Sequence, residues 1–254
     1  MNDLNSNSRL SRIETMWSVV RRAHDSADMN QVESAQQELL GLYGSAIRRY
    51  LLAAVKDADL ADDLFQEFAV KFVNGDFRSA DPDRGRFRSF VKTILSRMIA
   101  LHFRKQKTRK EKPLQNDLEN ESELDLPGDE VFTVSWREEL LSRTWSALQE
   151  HEKSSGQKYD TVLRIKVAEP TLSSEMLAAK ISDAIGKPTS AGSARVLVHR
   201  SREKFAHLMI DVVANSLENG NRENVEAELI DLGLIDYCRD ALDQLPSSEG
   251  GQTK

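Results

Sequence analysis

Residues 61–73, ADDLFQEFAVKFV, decide how this chain folds. Read as a helix, Leu64, Phe68 and Phe72 recur every fourth residue with Phe65 and Val73 beside them, while Asp62, Asp63, Gln66 and Glu67 share another side. One face is therefore core and the other an acidic stripe. Composition alone makes such a stripe an ordinary solvated surface; the residues that follow make it a candidate docking face. A loop, ADPDRGRFRSF (80–90), leads into Phe87, Phe90, Val91, Ile94, Leu95, Met98 and Ile99 at helical spacing, with Arg86, Arg88, Lys92 and Arg97 around the other side. That helix turns strongly basic at HFRKQKTRK (102–110), where Arg104, Lys105, Lys107 and Arg109 crowd together. Cations favour the carboxyl end of any helix dipole. Here they alternate with Phe87, Phe90, His102 and Phe103, a mixture that suits tracking a phosphate backbone while stacking on unpaired bases.

The composition sets the frame. The chain has 254 residues, 39% hydrophobic and 30% charged, with 12 Gly and 6 Pro, enough for two small helical cores and too poor in β-branched runs for a sheet. Net charge is −6, which on its own speaks against nucleic acid. The charge is segregated, however: Asp117, Glu119, Glu121, Glu123, Asp125, Asp129 and Glu130 follow directly on the basic run, and the local field matters more than the total. Cys238 is the single cysteine, so no intrachain disulfide forms and a reducing cytoplasm is compatible. The polar start (MNDLNSNSRLSR) lacks an apolar signal core, and no segment approaches the roughly 20 apolar residues that span a bilayer. A cytoplasmic protein without membrane insertion is expected.

Helices are expected over Arg9–Arg22 (with Ile13, Met16, Trp17 and Val20 as a core stripe), Gln31–Leu42 and Tyr43–Val55. From Gln106 to about Val134 the polarity, Pro113, Pro127, Gly128 and the acidic run mark a flexible linker. A second domain starts near Ser135, with Trp136, Leu140, Leu141, Trp145 and Leu148 outlining one amphipathic helix and Tyr159, Val162, Leu163, Ile165 and Val167 another. Ser173 or Ser174 then caps a helix with Leu177, Ile181 and Ile185 on one face, and Gly186, Lys187 and Pro188 break it. Thr189 or Ser190 caps the next, AGSARVLVHRSREKFAHLMIDVV. A short helix, a Gly-containing break and a basic helix read as helix-turn-helix, whose second helix enters the major groove amino end first. Ala194, Val198 and Phe205 then face the core. Ser190, Ser193, Arg195, Val196 and His199 come near bases or phosphates, and Arg200, Arg202 and Lys204 reach the backbone. Residues 213–246 form a charged amphipathic extension with Val225, Leu229, Leu232, Leu234 and Ile235 on its apolar positions, expected to pack on the second domain.

Catalytic readings find little. Asp81, Asp83 and Gly85 touch on a calcium loop, but Pro82, Arg84 and the missing distal Glu argue against it. Asp62, Asp63 and Glu67 lack a basic or His partner at nuclease spacing, and the histidines (24, 102, 151, 199, 207) form no ligand motif. With no P-loop, dinucleotide fingerprint or serine elbow, neither an enzyme nor a cofactor is expected.

ADDLFQEFAVKFV, DPDRGRFRSFVKTIL and the basic cluster resemble the second conserved region of bacterial sigma factors of the extracytoplasmic-function group, in a longer subgroup with a carboxy-terminal extension. GSARVLVHRSREKF resembles the recognition helix of the fourth conserved region of the same family, although SDAIGKPTS is a longer turn than usual and Val196 and Leu197 stand where many relatives carry polar readers. The resemblance implies an all-α chain of two small helical domains: a region 2-like bundle at 9–112 and a region 4-like helix-turn-helix at 135–212. A flexible acidic linker at 113–134 joins them, and the extension occupies 213–246. It implies core RNA polymerase and promoter DNA as partners, with an anti-sigma factor or other regulator as a further one. Docking on polymerase would fall to Asp62, Asp63, Gln66 and Glu67. Recognition and melting of the minus ten element would fall to Arg84, Arg86, Arg88, Lys92, Arg97, Arg104, Lys105, Lys107 and Arg109. The minus thirty-five element would meet Ser190, Ser193, Arg195, Val196, His199, Arg200 and Arg202. The competing reading is a stand-alone helix-turn-helix regulator that never touches polymerase.

Overall fold

The computed structural model describes residues 29–74, 76, 86–110, 129–217 and 220–245. Among these it has nine α-helices and no strand, so the all-α expectation holds. The described residues fall into two compact units. The amino-terminal one holds 29–74, 76, 86–110 and Asp129–Glu139 together with Ser216 and Leu217, and the carboxy-terminal one holds Leu140–Asn215 with 220–245. The expected Arg9–Arg22 helix, Arg84, and the acidic run up to 128 lie outside the described residues.

The amino-terminal unit is built from α1 (Met29–Val55), α2 (Ala58–Val73), α3 (Phe87–Lys110) and the first part of α4 (Asp129–Ser155). Two helices were expected over 31–55, but α1 is continuous. Gly41 and Gly44 interrupt the periodicity without breaking the helix. A Cβ on Gly44 would come within 3.3 Å of the Phe65 ring, so this glycine lets α2 approach closely, and that packing outweighs the roughly 1 kcal/mol helix penalty of glycine. Lys56 turns the chain in the left-handed region (φ 54°), and the Asp57 carboxylate caps α2 by accepting from the Leu60 backbone N–H at 3.1 Å. Ala61, Leu64, Phe65, Phe68 and Phe72 are buried, whereas Val73 is 48% exposed. Val73 lies three turns beyond Asp62, which puts it on the acidic line rather than the apolar one. In α3, Phe87, Val91, Leu95, Met98 and Ile99 are buried. Tyr43 joins α1 to α3 through the Phe87 ring at 5.6 Å.

The largest departure is the placement of α4. Its first six residues were expected in the flexible linker and Trp136 in the second domain. The helix instead begins at Asp129, and its Asp129–Glu139 stretch groups with α1 and α3. Phe132 and Trp136, both buried, are drawn there by aromatic partners far away in sequence: Trp136 stacks on Tyr43 at 4.4 Å and 8°, and Phe132 meets Tyr50 edge-on at 5.0 Å.

The carboxy-terminal unit continues α4 from Leu140 and adds α5 (Tyr159–Ala168), α6 (Ser174–Ile185), α7 (Ala191–Asn215), α8 (Arg222–Asp231) and α9 (Ile235–Asp243). The Glu152 carboxylate on α4 accepts from the Thr161 backbone N–H at 2.9 Å and the Thr161 hydroxyl at 2.7 Å. Burial alone would raise the pKa of Glu152, but these bonds and Lys158 together hold the carboxyl below its ordinary range. Val162, Leu177, Ala178, Ile181, Ala194 and Val198 form the core shared by α5, α6 and α7. Val167, expected on the apolar face of α5, is 60% exposed in its last turn. Val225, Leu229, Leu232 and Leu234 are buried and Ile235 is half-buried. Both α8 and α9 pack against α7, so the extension completes the core of this unit.

Candidate functional surfaces

The exposed line of α2 carries Asp62, Asp63, Gln66 and Glu67, all at the surface. Arg48 of α1 lies 4.0 Å over the Phe65 ring and pairs with Asp62 at 3.7 Å, and Lys71 pairs with Glu67 at 3.7 Å. Exposed pairs of this kind contribute at most about 1 kcal/mol, so a partner's cations can replace them. Val70, 58% exposed, and Val73 extend the same line. Periodicity had put Val73 in the core and said nothing of Val70, yet both lie at helical intervals from Asp62 and Gln66, and this interval was the signal that would have found them. The stripe is thus acidic at its amino end and apolar at its carboxyl end, the amphipathic make-up of a protein-docking ridge.

The basic residues of α3 divide into two rows. Arg97, Leu101 and Arg104 follow one line with Lys105 beside it, all exposed, and Leu101 is an apolar side chain left in water at 51% exposure. His102 and Phe103 stand half-buried next to this row, edge to face at 5.8 Å. Arg88 and Lys92 follow another line, roughly 150° round the helix. The Arg88 guanidinium donates to the Thr133 hydroxyl at 3.4 Å, and Lys92 pairs with Asp129. Arg86 is half-buried at the entry to α3. Lys107 and Arg109 lie on the last turn of the helix, and their side chains fall outside the described residues. The geometry brings Arg97, Arg104 and Lys105 together and separates Arg88 and Lys92 from them.

In the carboxy-terminal unit, α6 and α7 have the proportions of a helix-turn-helix. The Ser173 hydroxyl caps α6 by accepting from the Met176 N–H at 3.3 Å, and Gly186 ends it in the left-handed region (φ 66°). The Ser190 hydroxyl accepts from the Ser193 N–H at 3.1 Å, which makes Ser190 the cap of α7. The longer turn is held by the Thr189 N–H donating to the Ser182 hydroxyl at 2.9 Å. Ala194 and Val198 are buried as expected, and Phe205 is half-buried against Trp145 at 4.9 Å. Ser193, Arg195, Val196, His199, Arg200 and Arg202 are all exposed on the outer side of α7. Arg195 also donates to the Ser174 hydroxyl at 3.3 Å, tying the two helices at their amino ends. Beside Arg200, a shallow groove of about 350 Å³ is lined by His151, Gln157, Tyr159, Glu203, Lys204 and His207. Of these, only Lys204 was expected along the DNA backbone; the others widen the polar flank of α7.

Among the described residues no group of three or more His, Cys, Asp or Glu side chains could hold a metal ion, and no helix is long and apolar enough to cross a membrane. Cys238 is buried on α9, and burial pushes its thiol up to about 12.

Residues 39–109 match the family Sigma-70 region 2. The matched segment holds most of α1, all of α2 and nearly all of α3, and so contains both the acidic stripe and the Arg97–Lys105 row. That family belongs to sigma-70-type transcription initiation factors, and the match indicates a role for this segment in promoter recognition and RNA polymerase binding. No curated protein and no solved structure matches the chain.

Proposed function

We propose that this chain, with a sigma-70 region 2 segment at residues 39–109, is a cytoplasmic sigma factor of the extracytoplasmic-function type with a carboxy-terminal extension. It binds core RNA polymerase and directs initiation at a restricted set of promoters. The observation that carries the reading is that one small unit presents two chemically opposite ridges on different helices. An acidic ridge ending in Val70 and Val73 meets protein, and the Arg97–Leu101–Arg104 row meets DNA. Unstacking costs a few kcal/mol per base step, so a melting protein must hold phosphates and offer a surface to extruded bases; Phe103, His102 and Leu101 beside the arginines supply that surface at the minus ten element. In the second unit, α7 enters the major groove at the minus thirty-five element with Ser193, Arg195, Val196 and His199 near the base edges. Arg200 and Arg202 lie along the phosphates there. The division of labour makes promoter affinity fall steeply with salt. An anti-sigma factor would act by covering either ridge.

The test is co-elution of the purified protein with bacterial core RNA polymerase in size-exclusion chromatography at moderate salt, beside the Asp63→Lys, Gln66→Ala variant. Both substitutions are at exposed positions and should leave the fold intact. Co-elution that disappears in the variant supports the sigma-factor reading. With both proteins folded, absence of co-elution in the unsubstituted chain rejects it in favour of a stand-alone helix-turn-helix regulator. A further variant, Arg97→Ala with Arg104→Ala, should retain polymerase and lose the permanganate reactivity of promoter thymines.

A further inference from the structure

Asp129–Glu139 touches both long helices of the amino-terminal unit, and cations of that unit reach it from each. From α1, Arg49 donates through Nη2 to the Ser135 carbonyl at 2.9 Å and to Glu139 at 3.3 Å, and its Nε lies 3.3 Å from Glu138. From α3, Arg88 reaches Thr133 and Lys92 reaches Asp129. Between these two polar seams lies an apolar one, with Trp136 on Tyr43 at 4.4 Å and Phe87 at 6.2 Å from the Trp136 ring.

We propose that Asp129–Glu139 is a further helical element of the polymerase- and promoter-binding unit, and that Arg88 and Lys92 are its anchors, positioning residues rather than DNA ligands. The DNA-facing part of this claim rests on the function proposed above. Three observations converge on it. Arg88 and Lys92 lie on the side of α3 away from the Arg97–Arg104 row, so one strand following that row does not meet them. Their partners come from a stretch whose Phe132 and Trp136 are buried, so release would expose two large aromatic side chains to water, which is costly. The anchors join α3 to the element that also grips α1 through Arg49. By this route the segment fixes the orientation of the basic row relative to the helix pair that carries the acidic stripe. A unit cut at residue 112 would leave Tyr43, Phe87 and Tyr50 without their covering aromatics.

The two roles are separable because a lost phosphate contact changes the salt dependence of binding, whereas a lost anchor changes the stability of the unit. The full-length protein is titrated against a fluorescein-labelled single-stranded oligonucleotide across a series of salt concentrations, and each variant is also melted. Arg97→Ala with Arg104→Ala should lower the slope of log affinity against log salt by about 1.4, or about 0.7 per contact. Lys92→Ala and Arg88→Ala should leave that slope unchanged and lower the melting midpoint by up to about 5 °C. Lys92→Asp should melt lowest of the Lys92 series, and the charge-swapped pair Lys92→Asp with Asp129→Lys should recover the midpoint at an unchanged slope. A slope reduced by about 0.7 in Lys92→Ala makes Lys92 a DNA ligand and overturns the proposal. A charge swap that melts no higher than Lys92→Asp alone overturns it too. An unchanged slope in Arg97→Ala with Arg104→Ala instead rejects the nucleic-acid reading of α3, while the charge swap, read by melting alone, still decides whether Lys92 is an anchor.

Discussion

The two units reach stability by opposite means. The amino-terminal one is held by large aromatic side chains meeting across long stretches of chain: Tyr43 and Trp136, Tyr50 and Phe132, Tyr43 and Phe87. The α6–α7 pair is held by aliphatic ones, Ala178, Ala194, Val198, Leu177 and Ile181, and its helix ends are fixed by Ser173, Gly186 and Ser190. Small side chains let α6 and α7 approach closely and set their crossing by shape, and explicit caps set where each begins. Large rings tolerate more variation in helix position but tie together elements that the chain order does not. The α6–α7 pair is thus specified locally and the amino-terminal unit through long-range partners.

The largest effect that bears on this contrast is expected from Trp136→Ala. Removing a fully buried tryptophan should cost about 3–5 kcal/mol, and amide hydrogen exchange should speed up in α1 and α3 while α6 and α7 keep their protection. Equal loss of protection in both units would break the comparison. Next is Ala194→Leu, which overfills the tight α6–α7 contact and should cost about 1–3 kcal/mol. Duplex DNA binding should fall with it, and unchanged stability in a denaturant titration would mean that the contact is looser than the burial of Ala194 implies. Gly186→Ala sharpens the role of the caps. A Cβ there meets nothing within 4 Å, so the expected loss of about 1–2 kcal/mol is backbone strain alone, and Gly186→Asn should recover part of it.

The smallest effect concerns Cys238 and pH. Its thiol is neutral in the folded protein up to about 12 and in the unfolded chain only up to about 9.0. Above the lower value the unfolded chain binds fewer protons, so stability is fully present below pH 9.0 and declines as pH rises toward 12. Cys238→Ala should flatten that part of the profile. Iodoacetamide at neutral pH should modify the native protein far more slowly than the denatured one. Fast labelling of the native protein would show that α9 opens readily.

The local part of this organisation was legible in the sequence. The bounds of α6, the start of α7, the buried faces of α2, α3 and α7, and the exposed positions of Asp62, Asp63, Gln66 and Glu67 follow from spacing and capping residues, because a helix face and a helix end depend on neighbours within one or two turns. Two apolar residues were misassigned: Val73 lies on the acidic line of α2 rather than its apolar one, and Val167 sits in the last turn of α5, where an apolar residue has no neighbour to cover it. Placing α4 required information that spacing does not carry. A polar, Pro- and Gly-bearing stretch reads as linker whatever follows it, and Trp136 reads as core without indicating which core.

What the sequence determined by itself is a helical chain with an acidic stripe, a basic helix end and a pair of capped helices across a glycine break, since each depends on contacts a few residues apart. What the tertiary structure alone decided is which cations remain at the surface. Arg97, Arg104 and Lys105 are exposed, whereas Arg88 and Lys92 reach Thr133 and Asp129. All five look alike in the sequence, because a charged side chain's partner is set by whichever element packs against its own side of the helix, and that element is brought there by the burial of Phe132 and Trp136.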